Sequence, residues 1–226
     1  MEPTAVVKVE NLSRYYQNHC AINHLSFTLN PGEVLGFLGP NGAGKSTTMQ
    51  IITGNLAPSA GEVSINGFDI VDSARQAKQQ IGYLPEYPPL YRDASVDEYL
   101  RYCAQLRRVK SAAIPAALAQ AKAYCGLSNV GSRLIGNLSK GFQQRVGIAQ
   151  AIIHNPPVVI LDEPTVGLDP IQMREIRSLI KTLGRDHSII LSTHILSEVQ
   201  ATCDRVQIIR EGELIYQASI EALQRR

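Results

Sequence analysis

The sequence predicts an α/β fold: a mainly parallel sheet, an antiparallel β part near the N-terminus and an all-helical insert. Three observations predict it. Apolar, β-branched runs such as "EVLGFL" (33–38), "PVVIL" (157–161) and "SIILST" (188–193) read as strands buried on both faces, as in a parallel sheet covered by helices. The first runs and the closing "RVQIIREGELIYQ" (205–217) read as antiparallel, the latter turning at Glu211-Gly212. Between about Tyr87 and Ile153 the strand pattern gives way to helix after helix.

In chain order, strands are expected in "AVVKVENL" (5–12), "EVLGFLGP" (33–40), "GEVSING" (61–67) and "QIGYLPE" (80–86). The insert then opens with "SVDEYLRYCAQL" (95–106), where Ser95 and Glu98 form a capping box. Val96, Tyr99, Leu100 and Cys103 fall on one face of that helix. "IPAALAQAKAYCGL" follows as a second helix, stopped by Gly126. Strands return at "PVVILDEP" (157–164), "SIILSTH" (188–194) and the final hairpin. We therefore divide the chain into an α/β core, 1–86 with 155–226, and a helical subdomain, 87–154.

Composition narrows the function classes. At 226 residues, 44% hydrophobic and 19% charged, the chain has the make-up of a globular protein with one substantial core. A net charge of +2, with no dense basic cluster along the sequence, speaks against a nucleic-acid partner. Cys20, Cys103, Cys125 and Cys203 are scattered without C-x-x-C spacing, as expected for thiols in a reducing cytosol. The N-terminus "MEPTAVVKVENLS" lacks a basic-then-apolar leader, and no apolar run reaches the roughly 20 residues that span a bilayer. The expected location is the cytoplasm, and any membrane role must come through a partner.

"GPNGAGKS" (39–46) fits the phosphate-loop pattern G-x-x-x-x-G-K-[ST] between an apolar strand and the helical "STTMQIITG". In such a loop, glycines let successive N–H groups point at a polyphosphate, and the following helix adds its positive end. Gly39, Pro40, Asn41, Gly42, Ala43, Gly44 and Thr47 build that cradle; Lys45 meets the β/γ oxygens and Ser46 offers its hydroxyl to Mg²⁺. The fold is thus expected to be a P-loop NTPase core, with ATP and Mg²⁺ as ligands. Asp162 ends a buried strand and reads as the water-mediated metal anchor, with Glu163 as the base that polarises the attacking water. His194 ends another buried strand at the same sheet edge and reads as a γ-phosphate contact.

A second Ser-x-Gly stretch, "LSKGFQQR" (138–145), opens a helix that bears no lysine loop. Together with "GPNGAGKST", "VVILDEP", "GLDP" (167–170) and His194, it resembles the nucleotide-binding subunit of ABC transporters over essentially the whole chain, one cassette spanning 1–226. "LSKGFQQR" is similar to the family's signature, "GLDP" to its D-loop with Asp169, and "IGYLPE" places Glu86 where the Q-loop glutamine stands. By spacing to "AINHLSF", the adenine-stacking aromatic is Tyr16, with Tyr15 as the alternative. The resemblance implies head-to-tail pairing, as a homodimer or with a similar ATPase. Ser139, Lys140 and the Gly141 amide of one subunit then close over ATP held by the other. It also implies Mg²⁺ contact for Glu86 and an integral membrane permease as partner, holding the subunit on the inner face of the cell membrane.

Three departures stand out. Glu86 replaces glutamine, Lys140 a glycine and Phe142 a glutamine of the family pattern. Backbone amides survive the last two changes, and lysine near phosphate is electrostatically favourable. These features resemble the drug-exporter, sodium-exporter and gliding-motility branch, which implies an exporter. "YPPLY" (87–91) reads as the surface that couples to the permease, or as a rigid connector. The alternatives are a soluble ABC-type ATPase in translation or DNA repair, and a regulatory module without hydrolysis. A single cassette without heptads disfavours the first, and the presence of Glu163 disfavours the second. The chain stops soon after "EGELIYQASIEALQRR", so no C-terminal regulatory domain is expected.

Overall fold

The computed structural model describes residues 5–225. Two sheets organise it. The first is antiparallel: β1 (Val7–Tyr16), β2 (His19–Leu29), β4 (Ala60–Ile65) and β5 (Phe68–Asp69), in the order β2-β1-β4-β5. The second contains β3 (Val34–Leu38), β6 (Ile81–Leu84), β7 (Val158–Asp162), β8 (Ser188–Thr193), β9 (Arg205–Arg210) and β10 (Glu213–Ser219). Its order is β10-β9-β3-β8-β7-β6, and only the β9–β10 hairpin is antiparallel.

Burial on both faces explains the continuous apolar strands. Along β7, Val158 and Ile160 join the core shared with the antiparallel sheet, while Val159 and Leu161 join the core under the helices. Between β6 and β7 lie α3 (Val96–Leu106), α4 (Ile114–Cys125) and α5 (Lys140–Ile152). The capping box of Ser95 and Glu98 is formed, and Gly126 ends α4 at φ 66°. The remaining helices are α1 (Lys45–Ile52), α2 (Ala74–Gln79), α6 (Pro170–Leu183), α7 (Leu196–Thr202) and α8 (Ile220–Gln224). Three of the four thiols are buried and all four are free.

The antiparallel sheet departs most from expectation. Its first strand runs past Leu12 to Tyr16, and β2, the longest strand at 11 residues, has no counterpart in the sequence reading. Register shifts fall between Val9 and Leu12 and again up to Tyr15, with Asn11 and His24 at φ 48°. Such bulges break the two-residue alternation by which a half-buried strand is read. The short α2 and β5 also lie outside the reading.

Candidate nucleotide site

The phosphate loop runs from the buried end of β3 into α1. Gly44 is the N-cap of α1 at φ 102°, and a Cβ there would come 2.7 Å from the Ala21 carbonyl oxygen, so this turn requires glycine. Lys45 is 5% exposed; its Nζ donates to the carbonyls of Gly39 (2.8 Å) and Pro40 (3.2 Å) and lies 3.4 Å from Glu163 Oε1. A cavity of about 520 Å³ opens over the loop. Asn41, Gly42, Gly44, Lys45, Ser46 and Thr47 form its floor, with Glu86, Glu163 and His194 on its walls. Ala43 is buried beneath and accepts from the Gly212 amide, which ties the loop to the β9–β10 turn. Tyr16 lines the cavity as well, whereas Tyr15 is not part of the lining.

Acidic groups converge at the ends of β6 and β7. Asp162 is 2% exposed, and its Oδ1 has no hydrogen-bond partner. Burial pushes its carboxyl pKa up, opposed by the Ser192 and Ser46 hydroxyls and reinforced by the charges of Glu163 and Glu86. Glu163 sits at φ 48°, a left-handed backbone position that a glutamate adopts only under constraint. Its Oε2 lies 2.9 Å from Nδ1 of His194. With the carboxylate ionised, Nδ1–H donates to it, and Nε2 can donate toward the cavity only when the ring is an imidazolium protonated at both nitrogens.

Sequence reasoning missed Glu198 on α7. Its carboxylate, 1% exposed, accepts from the hydroxyls of Thr165 and of Thr193 (2.8 Å), with Arg177 3.6 Å away. It thereby joins the turn after Glu163 to the strand end before His194. A glutamate beginning a short helix carries no periodic signal of burial, so nothing in the pattern marks it.

Ser139, Lys140, Gly141 and Asp169 stand apart from the cavity lining. Ser139 caps α5 by accepting from the Phe142 amide (3.4 Å), and Asp169 caps α6 by accepting from the Ile171 and Gln172 amides, both at 2.9 Å. A Cβ on Gly141 would meet the Gln172 side chain at 2.8 Å, so the two helix starts are in close packing. Lys140 lays its ammonium in the space beside Gly167 and, with Glu86, lines a separate hollow of about 260 Å³.

The family model of the ABC transporter matches residues 22–166, more than half of the chain. The chain belongs to the ABC transporter family. It is an ATP-binding, ATP-hydrolysing subunit, and such subunits pair and work with membrane permeases. The bacitracin transport ATP-binding protein BcrA of Bacillus licheniformis is 35% identical over 99% of this chain and 72% of its own length. The ABC transporter ATP-binding protein NatA of Bacillus subtilis (strain 168) is 40% identical over 90% of this chain and 83% of its own. A solved ATP-binding subunit of an ABC transporter superposes with a TM-score of 0.86 at 31% identity, covering 97% of this chain and 92% of that one. Among the described residues of this ABC subunit, no helix is long and apolar enough to cross a membrane.

Proposed function

We propose that two copies of this subunit, or one copy and a similar ATPase, close head to tail around two ATP molecules and power a separate exporter permease. One observation carries this reading: the Ser139–Gly141 helix start lies outside the cavity floored by Lys45, so each chain offers two unlike half-sites. In the closed pair, Ser139, Lys140 and the Gly141 amide of one subunit meet the γ-phosphate held by the other, with Asp169 at the seam. Tyr16 stacks on adenine. Glu163 takes the proton of the attacking water while His194, oriented by that same carboxylate and protonated at both ring nitrogens, donates from Nε2 to the γ-phosphate.

Mg²⁺ fits the residues present. The orphaned Oδ1 of buried Asp162 lacks a positive partner, and the Ser46 hydroxyl and Glu86 carboxylate beside it complete an all-oxygen donor set suited to a hard cation. When bound, the ion supplies charge neutralisation on the phosphate oxygens. Export is supported by the 35% identity to a bacitracin transport protein, together with Glu86 and "LSKGF". The helical segment 87–154 then serves as the arm that meets the permease on the cytoplasmic side of the membrane. Tyr87, 79% exposed, and Leu90 provide contact.

The test is co-purification. The subunit co-expressed with its permease is expected to copurify from membranes, and Tyr87→Ala with Leu90→Ala to weaken that while basal ATPase persists. A subunit that hydrolyses ATP at full rate as an enforced monomer overturns the paired reading.

A further inference from the structure

Tyr16 ends β1 beside the turn at Gln17 (φ 51°) and lines the ATP cavity with a ring that is 42% exposed. A tyrosine so exposed is free to change rotamer, and fixing it on binding costs affinity. Arg14, two residues earlier on the same strand, supplies the constraint. Its guanidinium carbon lies over the Tyr16 ring, 4.8 Å from the centroid. Arg14 does not line the cavity whereas Tyr16 does, so the covered face is the one turned away from the nucleotide. The opposite face is left for a base. A cation over one face draws on the ring's electron density and favours an electron-rich purine on the other.

Arg14 is itself held in place. Its Nη1 donates to the Ala57 carbonyl (3.0 Å), a neutral acceptor in the segment between α1 and β4. Its Nε is buried without a hydrogen-bond partner, and among the described residues it enters no ion pair. With no carboxylate to neutralise it, the charge remains available to the ring. The anchoring segment is strapped to β1: the Ser59 amide donates to the Ser13 carbonyl (2.9 Å), and the Tyr15 amide to Ser59 Oγ (3.1 Å). Helix α1 thus starts at the phosphate loop and leads, past its end, into the segment that braces Arg14. One helix and one arginine set the phosphate cradle and the aromatic platform relative to each other.

We infer that Arg14 is a positioning residue for the nucleotide base: its guanidinium, braced on the Ala57 carbonyl, holds Tyr16 in the orientation that stacks adenine. Guanidinium, phenol and purine then form three layers. The inference rests on the proposed reading of Tyr16 as the adenine platform. Arg14 touches the ring and not the nucleotide, so its effect passes through Tyr16 and falls on the base, leaving the phosphate contacts as they are.

The experiment titrates ADP and inorganic pyrophosphate, each with Mg²⁺, into the full-length subunit in a calorimeter. ADP keeps the base and lacks the γ-phosphate; pyrophosphate keeps only the phosphates and so reads the state of the loop and the fold. Wild type is compared with Arg14→Gln, Arg14→Lys, Tyr16→Ala and the double variant Tyr16→Ala/Arg14→Gln. Tyr16→Ala is expected to weaken ADP binding about tenfold and Arg14→Gln about threefold to fivefold. Arg14→Lys keeps a cation over the ring and is expected to restore part of the loss. Pyrophosphate affinity is expected to match wild type throughout. With Tyr16 already replaced, Arg14→Gln is expected to weaken ADP binding no further. Wild-type ADP affinity in Arg14→Gln overturns the inference. An equal fold-loss with and without Tyr16 also overturns it, as does a parallel loss of pyrophosphate binding, and both leave adenine stacking on Tyr16 standing. Wild-type ADP affinity in Tyr16→Ala sinks the stacking reading itself.

Discussion

His194 Nδ1 lies 2.9 Å from Glu163 Oε2, and the other oxygen of that carboxylate lies 3.4 Å from Lys45 Nζ. One carboxylate thus orients a histidine and holds the loop lysine. Glu163→Gln keeps the shape and removes the base. Turnover is expected to fall by about 10²-fold or more, with ATP binding retained. A dimer that persists with ATP and separates with ADP is the expected gel-filtration result. Unchanged hydrolysis removes Glu163 from the catalytic role. His194→Ala is expected to lower kcat and ATP affinity with little change in ADP affinity, because ADP has no γ-phosphate.

Asp162 predicts a stability effect of unusual sign. Its buried carboxyl titrates above the ordinary range, so the folded protein retains a proton that the unfolded chain has lost. Nucleotide-free stability therefore declines as pH rises from the usual carboxylate pKa through the raised one. Asp162→Asn removes the buried charge. The expected outcome at pH 8 is a melting temperature about 2–4 °C higher without ligand, combined with loss of Mg²⁺-dependent stabilisation by ATP. A lower melting temperature in the variant contradicts the assignment.

Glu198 predicts a positioning effect. Glu198→Ala orphans the hydroxyls of Thr165 and Thr193 inside the protein, at a cost of about 1–3 kcal/mol. It also frees the turns that carry Glu163 and His194. We expect kcat to fall with KM nearly unchanged, and Glu198→Gln to restore part of kcat. Loss of stability without the kcat effect assigns Glu198 to folding alone.

Much of the architecture was legible because the signals were redundant. Strand β7 declared itself by an unbroken apolar run, and that run ended at Asp162, where the chain reaches the wall of the cavity at Glu163. The antiparallel sheet was less legible: its bulges at Asn11 and His24 remove the alternation that marks a strand. The loop residues lining the cavity were found from one motif. Glu198 and the bond from Arg14 to Ala57 were not, since each depends on segments far apart in sequence. Lys140 illustrates the same limit: its neighbour Gly167 lies on another element.

Glu86 lines the ATP cavity beside a carboxylate already burdened by burial. A second negative charge there repels phosphates unless Mg²⁺ intervenes. Glu86→Gln is expected to strengthen ATP binding in EDTA by about threefold to tenfold, for an interaction of order 1 kcal/mol. With Mg²⁺ the difference is expected to shrink or reverse. Titration of a fluorescent ATP analogue under both conditions reads it, and equal affinities in EDTA remove the charge argument.

The separation of the Ser139 helix start from the Lys45 cavity makes the last prediction the most discriminating. Lys45→Ala disables the acceptor half of both sites in a homodimer, and Ser139→Arg disables the donor half of both. Each variant alone is therefore expected to be inactive. In an equimolar mixture, half of the randomly formed pairs carry one of each variant. Such a pair retains one site whose lysine and serine are both intact, and its other site lacks both. If one sound site hydrolyses independently, the mixture recovers about a quarter of wild-type activity. If both sites must close together, the mixed pairs form in ATP without turning over, and recovery stays near zero. The recovered activity separates these two cases, and crosslinking in ATP is expected to show mixed pairs in both. Were the two residues instead to serve the same ATP within one chain, each polypeptide would carry one lesion in its only site. Neither activity nor ATP-dependent pairing would then return on mixing, and the composite arrangement would fail.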